Sequence, residues 1–217
     1  MTMPRSLPLA RLRFAAPSSR RIARRLRRFT RAADGLAAVE FALILPVMIA
    51  LYFGMAEVTV GIIQDRKLDL VARAVADLPG RAGTMDDATM KTIFAAAANI
   101  MAPYDTSKVK ITVTSVVVKK NSGGALEAKG CWSKTHTLGN FDTVSDGARK
   151  DQTITPIAEG FQTEGVSYIW AEVEKPYSPT IGYKITGEIK LTSSTPWPVR
   201  NVTQVSYDTG SSTPKTC

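Results

Sequence analysis

The sequence predicts an α+β protein: a long N-terminal transmembrane helix, then a domain with an antiparallel sheet and packed helices. Three observations lead there. From Leu36 to Ile63 the chain is apolar, with Glu40 and Glu57 as its only charges. Roughly 20 apolar residues rising ~1.5 Å each cross a bilayer core, so this run is long enough. Apolar residues then recur at helical spacing as far as Met101. Beyond that the period falls from 3.6 to 2, the mark of strands.

The charge is unevenly placed. The chain has 217 residues and a net charge of +9. Residues 1–35 hold ten Arg against one acid, Asp34, and so account for +9 by themselves. The remaining residues carry 18 basic and 18 acidic side chains and are neutral. An arginine arm directly before an apolar run is a cytoplasmic leader that sets membrane orientation. Two other readings stay open, a nucleic-acid-binding tail and a mitochondrial transit peptide. The leader is the reading adopted, with the lipid bilayer as partner and no nucleic acid. A cleaved secretory signal fits poorly, because Ala56-Glu57-Val58 is a weak substitute for a cleavage box.

The predicted organisation is a leader over 1–35, a transmembrane helix over 36–63 and its extension over 64–79. An α+β domain over 80–200 and a polar tail over 201–217 complete it. Phe41 to Ala56 carries no charge, so Glu40 stands alone at the start of the apolar run. A carboxylate there needs a reason, since a charge in hydrocarbon costs several kcal/mol. Pro46 removes one backbone hydrogen bond and is expected to kink the helix. Ala50 and Gly54 have a small-xxx-small spacing that admits a second helix, or are membrane filler. Gln64-Asp65-Arg66-Lys67 marks the outer interface. The stripe Leu70, Val71, Ala74, Val75 and Leu78 then faces the domain, and Leu78-Pro79-Gly80 ends the helix.

A second helix follows. Thr84 with Asp87 reads as a capping box, Met90, Ile93, Phe94, Ala97 and Met101 form the inner face, and Pro103 stops it. Val109 to Val117 alternates as a half-buried strand. Asn121-Ser122-Gly123-Gly124 is a turn, and a shorter strand returns to Trp132. Residues 138–165 read as a long loop with one helical turn. Val166 to Lys175 is a further strand. Tyr183, Ile185, Ile189 and Leu191 suggest the last, ending before Pro196.

Chemistry is sparse. His136 is the single histidine and is expected at an exposed strand or turn. Glu172 and Glu174 alternate on a solvated face. Asn201-Val202-Thr203 matches a glycosylation sequon, a triplet frequent by chance. No Walker A, G-x-S-x-G, H-E-x-x-H or G-x-G-x-x-G motif occurs. No enzymatic role, cofactor or metal is expected, because two cysteines and one histidine supply too few ligands. Cys131 and Cys217 pair in an oxidising periplasm, or stay as two free thiols. Closing so long a loop stabilises by about 4 kcal/mol in the chain-entropy model.

The run Gly35-Leu-Ala-Ala-Val-Glu40-Phe41-Ala-Leu-Ile-Leu45-Pro46 resembles the N-terminal signature of the TadE/TadG-like family, minor pseudopilins of the Tad (tight adherence, Flp-type IV) pilus system. The likeness covers about Arg27 to Ala76, including the small-residue helix Leu70 to Ala76. Beyond residue 80 it is general. It implies a pilin-like domain and a prepilin peptidase that cuts between Gly35 and Leu36. It also implies that Glu40, with Phe41 beside it, serves assembly by pairing with the amine freed on Leu36 of a neighbouring subunit. The implied partners are the peptidase and other pilins and pseudopilins of the Tad machinery. The implied location is the bacterial inner membrane, with the N-terminus cytoplasmic and the domain periplasmic, or the pilus itself. The alternative is an unprocessed single-pass protein whose periplasmic domain binds a partner.

Overall fold

The computed structural model describes residues 34–139, 143–180, 182, 186–210 and 217. The arginine arm before Asp34, and Tyr183 and Ile185 of the last predicted strand, lie outside the described residues. The chain divides into two compact units, Met1–Tyr52 and Phe53–Cys217.

The described part of the first unit is the opening stretch of helix α1 (Asp34–Arg81). The helix is continuous through Pro46. Every residue from Gly35 to Tyr52 is exposed, among them Leu36, Leu43, Leu51 and Tyr52. A helix satisfies its own backbone hydrogen bonds, so such a segment is stable where water is absent.

Among the described residues, the second unit contains the rest of α1, helix α2 (Asp87–Met101) and eight strands. α1 packs through Leu68, Val71, Ala72, Val75 and Ala76, all buried. The predicted stripe is therefore corrected: Val71 and Val75 face inward, but Leu70 and Leu78 face out. The inward set recurs at i, i+3, i+4, i+7 and i+8, a true helical face. α1 also outlasts its predicted stop, ending at Arg81. Its last carbonyls have partners there. Arg200 N donates to Gly80 O at 2.9 Å, and Asn201 Nδ2 donates to Arg81 O at 2.7 Å. The sequon asparagine thus satisfies a helix terminus.

α2 buries the predicted face, Met90, Ile93, Phe94, Ala97 and Met101. Its N-cap is Asp86, whose side chain accepts from Thr89 N at 2.7 Å, and not Thr84. Thr84 belongs instead to β1 (Thr84–Met85), which pairs in parallel with β8 (Ser206–Tyr207).

The main sheet is antiparallel. It contains β2 (Lys110–Lys120), β3 (Leu126–Thr137), β4 (Ser145–Asp146), β5 (Thr153–Ile154), β6 (Ser167–Tyr177) and β7 (Ile189–Pro198). The order is β4-β3-β2-β6-β7, with β5 also on β3. β2 is buried along most of its length rather than half-buried, because both faces are covered. Ile111, Val113 and Val117 share a core with α1 and α2. Val116 and Val118 join Ala128, Ile154 and Tyr168 in a second cluster, against which Ile157 and Phe161 pack. The segment read as one long loop thus supplies β4, β5 and a lid over the outer sheet face.

β3 runs on to Thr137, well past the predicted Trp132. A bulge hides the alternation. Ser115 pairs with Trp132 but Val116 with Gly130, leaving Cys131 as the extra residue. A bulge inverts which residues face the core. Gly130 is required there, since a Cβ would collide with the Arg149 carbonyl. β7 likewise continues through Pro196 and Pro198. Among the described residues it is an edge strand paired with β6 alone, where proline costs no ladder bond on the open side.

Two further expectations change. His136 is not exposed. It is 4% accessible, stacks on Phe94 with ring centroids 5.1 Å apart, and its Nδ1 lies 2.9 Å from Thr143 O. Two described residues of the polar tail belong to the core. Val205 and Tyr207 are fully buried, Trp132 Nε1 donates to Val205 O at 2.8 Å, and a disulfide joins Cys131 to Cys217.

Candidate functional site on the N-terminal helix

The residues singled out from sequence lie together on α1. Gly35 and Leu36 occupy its first turn, where the leading N–H groups have no intrahelical partner. Nothing stands within 4 Å of the Cβ position of Gly35. Leu36 and Phe41 are exposed, as is Glu40. Leu36 and Glu40 are four apart and so share a helix face. Pro46 lies farther along the same exposed stretch. Cys131 and Cys217 are elsewhere, in the sheet and at the chain end.

Sequence reasoning missed how the later half of α1 is held. Four polar side chains or carbonyls of the helix meet β6 and β7 in turn. Tyr177 Oη donates to Glu57 O at 3.1 Å. Lys175 Nζ donates to Gln64 Oε1 at 2.6 Å. Ser193 Oγ donates to Asp69 Oδ1 at 2.6 Å, and Trp197 Nε1 donates to Asp77 Oδ1 at 2.7 Å. Gln64 is 5% accessible, so the expected outer-interface cluster is split between water and core. Lys67 of that cluster reaches back to the end of α2, donating to Ile100 O at 2.9 Å and Ala102 O at 2.6 Å. The overlooked signal was the spacing of Gln64 with Leu68, Val71 and Val75, which puts it on the buried face.

Electrostatics follow these contacts. The Arg81 guanidinium, 2.5 Å from Asp77, holds that carboxyl below the usual carboxylate range, and the Trp197 indole and Arg200 add to it. Burial pushes the Lys175 ammonium down. On the outer sheet face Glu172 is bound by Arg149 through two bonds of 2.5 Å. Glu174 lies between Lys110, 3.4 Å away, and Lys190. Both carboxylates are neutralised by neighbours. Among the described residues no cluster of His, Cys, Asp and Glu is suited to a metal ion.

Residues 35–77 match the family model described as TadE-like protein. This part of the N-terminal helix is similar to the TadE-like family. The match opens at Gly35 and closes at Asp77, the residue on which Arg81, Trp197 and Arg200 converge. It covers both the exposed stretch and the packed stretch of α1, and leaves the β-sheet outside. Neither a curated protein nor a solved structure matches the chain. Among the described residues, one helix, Gly35–Arg81, is long and apolar enough to cross a membrane. A TadE-like segment on such a helix fits a membrane protein related to the Tad pilus.

Proposed function

We propose that this chain is a minor pseudopilin-like component of a Tad/Flp-type pilus machinery, processed after Gly35 and assembled through its apolar helix. The observation that carries the reading is the TadE-like match opening at Gly35, on a helix whose next 18 residues are exposed. A prepilin peptidase hydrolyses the Gly35–Leu36 peptide on the cytoplasmic side, leaving a carboxylate on Gly35 and an amine on Leu36. The site lies in the first helical turn, where few backbone bonds must break for the chain to enter a protease cleft. Glycine adds no side chain to obstruct that entry. Cleavage discards the +9 arm.

Glu40 then has a partner. Its carboxylate lies one turn from the freed amine and pairs with that of a neighbouring subunit, which offsets the cost of burying it and sets axial register. Phe41 packs beside this contact. The domain faces the periplasm, and the bilayer holds the helix until assembly. The test is Glu40→Ala in cells with active peptidase. Processing persists and pilus assembly is lost. Normal piliation in this variant contradicts the pairing role.

A further inference from the structure

We propose that the apolar groove between residues 54–62 of α1 and the β6–β7 end of the sheet holds an acyl chain of a membrane phospholipid. The inference rests on the reading of α1 as a membrane span. The groove encloses about 410 Å³. Gly54, Val58 and Ile62 form its helix side, and Tyr177, Ile189 and Leu191 face them from the sheet. The lining is almost wholly carbon. Val58, Ile62 and Ile189 are nevertheless 62%, 50% and 41% accessible. Nothing stands within 4 Å of the Cβ position of Gly54, whereas the Tyr177 ring closes the wall at 3.4 Å from that of Gly61. The groove is therefore open at its Gly54 end and walled at Gly61.

The polar groups of the wall are matched within it. Glu57 Oε2 accepts from Gly182 N at 2.9 Å, and Glu57 O accepts from Tyr177 Oη at 3.1 Å. Thr186 Oγ1 donates to Gly182 O at 3.2 Å, so among the described residues the wall's polar groups bond to one another and its apolar surface suits a hydrocarbon ligand. Position along the chain names its source. A span of roughly 20 residues from Leu36 ends near Met55, where the groove begins. Exposed Asp65 and Arg66 follow, as at a water-facing boundary. Tyr177, with an apolar ring and a bonded hydroxyl, has the character of side chains that gather at the headgroup level. Lipid chains are the apolar material continuous with the groove at that depth.

The test uses the full chain in nanodiscs of phospholipid with brominated acyl chains. A fluorophore is placed on single engineered cysteines, Ile189→Cys and, as a second groove position, Val58→Cys. Val47→Cys reports on the span and Glu159→Cys on the solvent-exposed domain surface. Quenching at 189 and 58 is expected to match that at 47 and to exceed that at 159 several-fold. Quenching at 47 with none at 189 overturns the proposal while the membrane reading stands. No quenching at 47 overturns both. A 189–189 cross-linked dimer of the unlabelled protein places a second copy in the groove and also overturns it.

Discussion

The two halves of α1 obey different rules within one secondary structure. From Gly35 to Tyr52 the helix is apolar all round and exposed throughout. From Gln64 to Arg81 it is mixed in composition, and buried Gln64 and half-buried Asp69 and Asp77 each have a named partner. An all-apolar surface suits hydrocarbon, which is indifferent to rotation about the helix axis. A mixed surface suits a folded domain, where each polar group requires a partner in one orientation. Specificity therefore resides in the packed half. In the exposed half, identity rests on a few positions such as Gly35 and Glu40.

Substitutions in each half test this contrast. The largest expected effect is on the domain that receives the packed half. Reducing or removing the Cys131–Cys217 bridge, which spans 86 residues, lowers stability by about 4 kcal/mol in the chain-entropy model. Urea unfolding of Cys131→Ser/Cys217→Ser measures this, and an unchanged midpoint contradicts it. Leu68→Ala follows at about 3 kcal/mol, because Leu68 is fully buried in the main core. The same change at Leu43, exposed on the apolar half, is expected to leave the midpoint where it was. Equal losses at both positions erase the distinction drawn here.

Gln64→Leu strands the Lys175 ammonium and costs about 2 kcal/mol. The double variant Gln64→Leu/Lys175→Met recovers most of that loss, as a hydrophobic replacement of a buried polar pair often does. Additive losses in the double variant contradict the pairing. The smallest effect is pH-dependent. Asp77 has its folded-state pKa lowered. Its contribution is thus present above the unfolded value of about 3.9 and is lost as pH falls through the lower folded value. Asp77→Asn flattens the acid limb of the stability curve and leaves its neutral and alkaline parts parallel to wild type. An unchanged acid limb shows that Asp77 has no stake in it.

Much of the architecture was legible from pattern alone. The apolar run, the inner face of α2 and the turn at Asn121 to Gly124 each carry a local signal, and α+β is the class observed. Misreadings fall where the signal is not local. The bulge at Cys131 inverts alternation midway along β3, and His136, expected at an exposed strand or turn, lies in the core beyond it. β4, β5 and the β1–β8 pair are two residues per strand, too short to show a period. Tyr207 enters the core because its ring meets Trp132 at 5.0 Å, a contact 75 positions apart that no window reveals. On α1, Gly35 and Glu40 stood out because each breaks its surroundings. Gln64 was marked only by its spacing with Leu68, Val71 and Val75, and Asp69 and Asp77 were not marked at all, since a polar residue off that face looks the same whether it meets water or a partner.

The central claim is that the exposed half of α1 begins, in the mature protein, at Leu36. Intact-mass and N-terminal peptide analysis of the protein from cells with an active prepilin peptidase tests it directly. The expected result is a mature chain whose first residue is Leu36. A mature chain that still carries the arginine arm contradicts it.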